Sequence, residues 1–236
     1  MIVLILLWIV LITFFSVFGS WYVRKYNRPD ALVGLYVAFI TISNVIAVKI
    51  AEFDLGFAKF YAPAATLVFA VTFLLTDIVN EKFGRKETHK MIFIAFLAQV
   101  ATTFFVYLAF ISPPAPFWSN QQSFELLFGL VPRIVFASWV AFLISENFDA
   151  YIFSLFKRFT GGKHLWARNV LSSLPALALD TLIFVFLAFY GSQPLLPLIG
   201  GVIVLKWIVG IVDIPFMYLN RKIMLGGKND KRIYNN

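Results

Sequence analysis

Five ionisable side chains lie well inside otherwise apolar stretches of this sequence, away from their ends and from the polar run at 145–149: Asp77, Arg133, Asp180, Lys206 and Asp213. A charge far from water is costly, so each such residue marks a place where chemistry or recognition outweighs that cost. Arg133 cannot shed its proton and must find a partner. Three carboxylates face two cations. One carboxylate is therefore left to be protonated, hydrated, or met by a cation on a ligand. That imbalance suits a binding site for a small polar solute.

Weaker polar residues cluster around these charges at helical spacing. Thr41 and Asn44 bound the sequence TISN and share a face, and an Asn amide both donates and accepts. Thr76, Asp77, Asn80 and Glu81 form one polar strip in LLTDIVNEKFG, with Glu81 at its solvated end. Gln99, Thr102 and Thr103 share a face without a charge. Arg133 follows Pro132, and Ser138, Ser145, Glu146 and Asp149 come after it. Asp149 sits where it could simply favour the basic segment that follows it. In RNVLSSLPALALDTLIF, the residues Asn169, Ser172, Ser173 and Asp180 fall on one helical face, and Pro175 is expected to kink the helix beside them. Lys206 and Asp213 are seven residues apart with Gly210 between them, again one face. An isolated Ser or Thr ordinarily bonds its own backbone, so the charges carry the greater weight.

The elements that carry these residues must be membrane helices. The chain has 236 residues, 61% apolar and 14% charged, with 28 Phe and six Trp, and a mean hydropathy of +0.84. A soluble domain is roughly 45–50% apolar and about 25% charged. Seven stretches are long enough to span: 1–23, 31–51, 63–81, 91–112, a fifth starting between 124 and 132 and ending near 156, 170–190, and 195–220. The expected fold is an all-α integral membrane protein, a bundle of about seven transmembrane helices. The first helix is expected at its periphery. Residues 1–30 are read as that helix with its basic loop, 31–221 as a six-helix core, and 222–236 as a basic tail.

Charge orients the bundle. With the N-terminus outside, the inner segments hold Arg24, Lys25 and Arg28; Lys82, Arg85, Lys86 and Lys90; Lys157, Arg158, Lys163 and Arg168; and Arg221, Lys222, Lys228, Lys231 and Arg232. Those are sixteen of the 20 basic residues, against Lys49 and Lys59 outside. This is a strong positive-inside pattern and predicts a multi-pass cell-membrane protein with a cytoplasmic C-terminus. The net charge of +8 is thereby explained by topology, and no nucleic-acid partner is expected. With no Cys, and with His89 and His164 both in short basic segments, neither a metal site nor another cofactor is expected.

Five stretches together resemble the queuosine-precursor transporter family, also known as vitamin uptake transporters. They are TISN at 41–44, FLLTDIVNEKFG at 73–84, RIVFASWVAFLISENFDAYIFSLFKR at 133–158, SSLPALALDTLIFVFLAFYG at 172–191 and KWIVGIVDIPFMYLNR at 206–221. The resemblance implies a six-helix core that imports 7-deazaguanine precursors of a modified tRNA base. It points to Asn44, Asp77, Arg133, Ser172, Asp180 and Lys206 as substrate-binding residues. Glu81, Glu146, Asp149 and Asp213 are candidates for coupling or gating. The helix at 1–23 and Pro175 depart from the pattern.

The residues suit that solute on chemical grounds as well. A guanine-like ring presents neighbouring N–H donors that one carboxylate can accept, as acidic residues accept from base edges. Its carbonyl calls for a donor such as Asn44, Arg133 or Lys206, and aromatic rings can stack on its faces. The expected partners are a purine-like small molecule and the bilayer, with a second copy of the chain as a further candidate. The alternative is a carrier of another nucleobase- or vitamin-like solute. An enzyme is disfavoured because Cys, an embedded His and HExxH are all lacking. A purely structural subunit is disfavoured by the number of buried charges.

Overall fold

A computed structural model describes residues 2–56, 58–159 and 165–225. Its elements are α1 (Ile2–Tyr26), α2 (Asp30–Ile46), β1 (Ile50–Asp54), β2 (Lys59–Pro63), α3 (Thr66–Phe83), α4 (Arg85–Ile111), α5 (Gln121–Phe128), α6 (Val131–Phe159), α7 (Leu165–Phe189) and α8 (Leu195–Leu225). Among the described residues, seven long helices lie over the seven expected stretches. Segments Leu6–Tyr26, Lys86–Ile111, Gln121–Ser145 and Leu195–Val212 are long and apolar enough to cross a membrane, and Asp30–Ile46 and Leu174–Phe189 are shorter apolar helices. Lys163, His164 and the tail residues Lys228, Lys231 and Arg232 lie outside the described residues.

The structure corrects the segment between the second and third spans. There α2 stops at Ile46 and α3 begins at Thr66, and Pro63, expected in a first helical turn, ends a strand. Strands β1 and β2 pair antiparallel, with Ile50 opposite Pro63 and Asp54 opposite Lys59. Glu52, Asp54 and Lys59 could not continue a helix through lipid, whereas a hairpin turns them outward and buries Phe53 and Ala62. At the turn Gly56 has φ 87°, and its N–H donates to Asp54 Oδ1 at 2.8 Å. The Glu52 carboxylate, 2.8 Å from Lys59 Nζ, holds that ammonium above the ordinary lysine pKa. Between the fourth and fifth expected stretches lies α5, a short helix with no buried residue. Helix α6 starts just after it, at Val131.

The chain divides into two compact units. The first comprises Met1–Ile42, Leu67–Gln99 and Val209–Asn236. Its core includes Ile12, Val23, Leu32, Tyr36, Val71, Leu75, Ile78, Met91 and Met224. Here α1 is integral rather than peripheral. Ile12, Ser16, Ser20 and Val23 form a buried stripe along it, while Leu6, Val10, Phe14, Phe18 and Trp21 are exposed on its other side. Any side chain at Gly19 would collide with Leu32 of α2, so small residues let the two helices approach. Trp8 Nε1 donates to Leu67 O of α3 at 2.8 Å, and Ser20 Oγ to Asn220 Oδ1 of α8 at 2.8 Å.

The second unit comprises Ser43–Thr66 and Val100–Ile208. It contains the hairpin, α6 and α7 packed along each other, and the first part of α8. Gly201 of α8 lies directly against the backbone of Tyr61 in β2, where no side chain would fit. Helix α7 continues through Pro175.

Candidate functional site

The second unit brings together three polar side chains from three helices. Asp180 lies on α7, where the chain stays helical through Leu177 and Thr181, and Thr181 bonds back to Leu177 O at 2.8 Å. Lys206 reaches Asp180 from α8. Its Nζ lies 2.5 Å from Asp180 Oδ2, and the two side chains are only 8% and 13% exposed. Ser145, buried on α6, is 3.3 Å from the other carboxylate oxygen, Oδ1. The same hydroxyl is 3.2 Å from Phe142 O on its own helix.

The arrangement is electrically neutral and directional. An ion pair in a low-dielectric setting holds only when its geometry is good and its remaining lone pairs find donors. Oδ2 is matched by an ammonium at short range. Oδ1 is reached by a hydroxyl proton for which the Phe142 carbonyl competes. The site can therefore accept from an N–H donor and can donate from an ammonium, which are the two complements a heterocyclic base edge calls for.

Arg133 takes another role than pairing with a carboxylate. From the first turn of α6 its Nε donates to Leu187 O at 2.7 Å, and its Nη2 to Tyr190 O at 2.8 Å. The last carbonyls of a helix lack intrahelical donors and form the negative end of its dipole, so a guanidinium there is well placed. Arg133 thus fastens the end of the helix that carries Asp180.

The other expected residues fall elsewhere. Asn44 is buried on α2, and beside it the buried Ser43 hydroxyl has no hydrogen-bond partner among the described residues. Asp77 is exposed on α3 in the first unit, where Thr76 bonds back to Phe73 O. Glu81, at the end of α3, pairs with Arg221 of α8 at 3.1 Å. Ser172, Glu146, Asp149 and Asp213 lie on helices, but their side chains lie outside the described set.

Two partners are not legible from the sequence. Ser145 is one hydroxyl among several, and helical phase alone does not say which faces a charge. Arg221 reads as the start of the basic tail. Its signal is an acid and a base at the same-side ends of two spans, next to Asn220, an amide at a span end. Asn220 is fully buried, accepting from Ser20 and donating to Phe216 O at 2.8 Å.

Comparison with known proteins gives this geometry its context. The model of the family described as "Putative vitamin uptake transporter" matches residues 63–220. The chain is 29% identical over 227 residues to the "Probable queuosine precursor transporter" of Bacillus subtilis strain 168, covering 93% of this chain and 96% of that protein. It is 25% identical over 172 residues to the "Queuosine precursor transporter" of Escherichia coli K12, covering 72% of each. A "Probable queuosine precursor transporter" of Haemophilus influenzae Rd is 26% identical over 157 residues, covering 65% of this chain and 63% of that protein. No solved structure matches the chain. With apolar helices of spanning length and a charge pair buried among them, the chain belongs to the vitamin uptake transporter family and is a multi-pass membrane transporter, not an enzyme.

Proposed function

We propose that this protein imports a queuosine precursor, a 7-deazaguanine base such as preQ0 or preQ1, across the cell membrane for tRNA modification. The observation that carries this reading is the Lys206–Asp180 ion pair with Ser145 beside it. In a chain of this family, a buried acceptor next to a buried donor is a feature that a purine-like ring can use and that lipid cannot. The names of the three relatives support a queuosine precursor as the solute.

Within this reading Asp180 and Lys206 contact the base, and Asn44 and Ser172 of the same unit are further contacts. Arg133 acts on the substrate through α7, whose end it steadies. Glu81, Glu146, Asp149 and Asp213 serve coupling or gating. Residues 31–221 form the transporting core, and 222–236 a cytoplasmic tail. The N-terminus, the hairpin at 50–63 and α5 face outward, in line with the distribution of basic residues. A homodimer fits the exposed face of α1, which offers Val10, Phe14 and Phe18 to lipid or to a second copy.

The test is uptake of labelled 7-deazaguanine bases by cells that lack their own carrier, with and without an uncoupler. Saturable uptake by the wild type and its loss in Asp180→Asn are expected. Equal uptake by the two would remove Asp180 from the site. A second reading, carriage of another vitamin-like solute, is favoured by the family's description. It would prevail if a panel of vitamins competed and deazaguanines did not. Because the chain has no native Cys, a single introduced Cys reports topology. Labelling at position 222 by an impermeant reagent in intact cells would reverse the orientation.

A further inference from the structure

Ser145 has one proton and two acceptors. Its oxygen lies 3.2 Å from Phe142 O and 3.3 Å from Asp180 Oδ1. Hydroxyl bonds in proteins usually fall near 2.7–2.8 Å, and those to carboxylates are shorter still. Several hydroxyls meet that standard, Thr181 to Leu177 O at 2.8 Å, Thr76 to Phe73 O at 2.7 Å and Ser20 to Asn220 at 2.8 Å, while Ser16 to Thr13 O at 3.4 Å and Thr88 to Gly84 O at 3.3 Å are as long but face a single backbone acceptor and no carboxylate. Ser145 is stretched between its two acceptors and satisfies neither fully. Across the carboxylate, Lys206 grips Oδ2 at 2.5 Å and neutralises the charge.

We propose that Ser145 is a placeholder: its hydroxyl occupies Asp180 Oδ1 and yields that oxygen to a ring N–H of the substrate. The proposal rests on the transport reading above and adds to it how the base is met. Because Oδ2 is held by Lys206, the substrate engages Asp180 through a single oxygen rather than through both. Because the carboxylate is already neutralised, the group it receives is a neutral N–H of a heterocycle, not a cationic substituent. When displaced, Ser145 keeps the Phe142 carbonyl as its partner, so yielding leaves no buried hydroxyl unpaired. A donor with an alternative acceptor at nearly equal distance is easily exchanged, whereas a bond without one would have to be broken outright.

This gives a sign opposite to that of an ordinary binding residue. Ser145→Ala removes the competitor, leaves Oδ1 without its donor until the substrate supplies one, and should tighten binding of 7-cyano-7-deazaguanine to the purified full-length protein by about three- to tenfold. Ser145→Val and Ser145→Thr, alike in shape but differing by the hydroxyl, should reproduce the gain and cancel it respectively, and they serve if the alanine variant folds poorly. Weakened or unchanged binding in Ser145→Ala overturns the placeholder role while leaving the transport reading intact. Failure of the wild type to bind any deazaguanine overturns the transport reading, and this inference falls with it.

Discussion

Each unit contains a buried polar cluster, and the two clusters differ in how completely their groups are matched. In the first unit Asn220 accepts from Ser20 of α1 and donates to Phe216 O, while its neighbour Arg221 pairs with Glu81 of α3. Asn220 has a full partner on each side of its amide, at a normal distance. In the second unit Asp180 has one oxygen held firmly and the other held by a hydroxyl with divided allegiance. Full satisfaction stabilises one arrangement and resists change, and a partly satisfied buried group is where a ligand gains most. The Asn220–Ser20 pair thus reads as architecture and the Asp180 cluster as a candidate site.

The sharpest way to test that contrast is to unbalance the ion pair. Lys206→Met should leave an uncompensated carboxylate at a nearly dry position and destabilise the protein by about 3–5 kcal/mol. Adding Asp180→Asn should restore much of the thermal stability in detergent without restoring deazaguanine binding. If the double variant binds normally, the pair is structural and the two clusters are alike after all.

Asn220→Ala comes next. Removing it strands the Ser20 hydroxyl, which is as fully buried, and should cost about 1–3 kcal/mol of stability. Uptake per folded molecule should stay within about twofold. A large fall in substrate affinity at unchanged melting temperature would move the first cluster into the binding machinery.

Arg133→Lys keeps the charge but loses the fork that reaches two carbonyls, and it should cost about 1–2 kcal/mol. Its effect on binding should be smaller than that of Asp180→Asn, because it acts through the end of α7. The smallest effect is expected from Glu81→Gln. The Glu81–Arg221 pair is 30% and 28% exposed on its two sides, so its loss should change stability by less than about 1 kcal/mol. A transport rate that falls with stability unchanged would mark that pair as a gate.

Much of this molecule is legible from residue order because lipid is a demanding solvent. Apolar length alone delimits the spans, and the ends of α4 and α7 lie close to where the apolar runs stop. The charges inside those runs also stand out, Asp180 and Lys206 among them, with no need to know their partners. The hairpin at 50–63 is less legible. Its apolar residues look like span ends, and only strand pairing, with Phe53 and Ala62 buried beneath, turns Glu52, Asp54 and Lys59 outward. The buried stripe of α1 is equally hidden, since a helix with Leu, Ile or Phe on every side carries almost no amphipathic signal.

Hydropathy and charge counts therefore determined the class of the protein, its approximate spans and which side chains must be compensated. They act locally, residue by residue, through transfer between water and lipid. Which group compensates which was decided only by tertiary structure. Lys206 meets Asp180 from another helix, Arg133 fastens the carbonyls that end α7, and Ser145 of α6 arrives beside Oδ1. Such pairings depend on the rotation and depth of each helix relative to the next, set by the packing of many side chains at once. Neighbours in sequence carry almost no record of it.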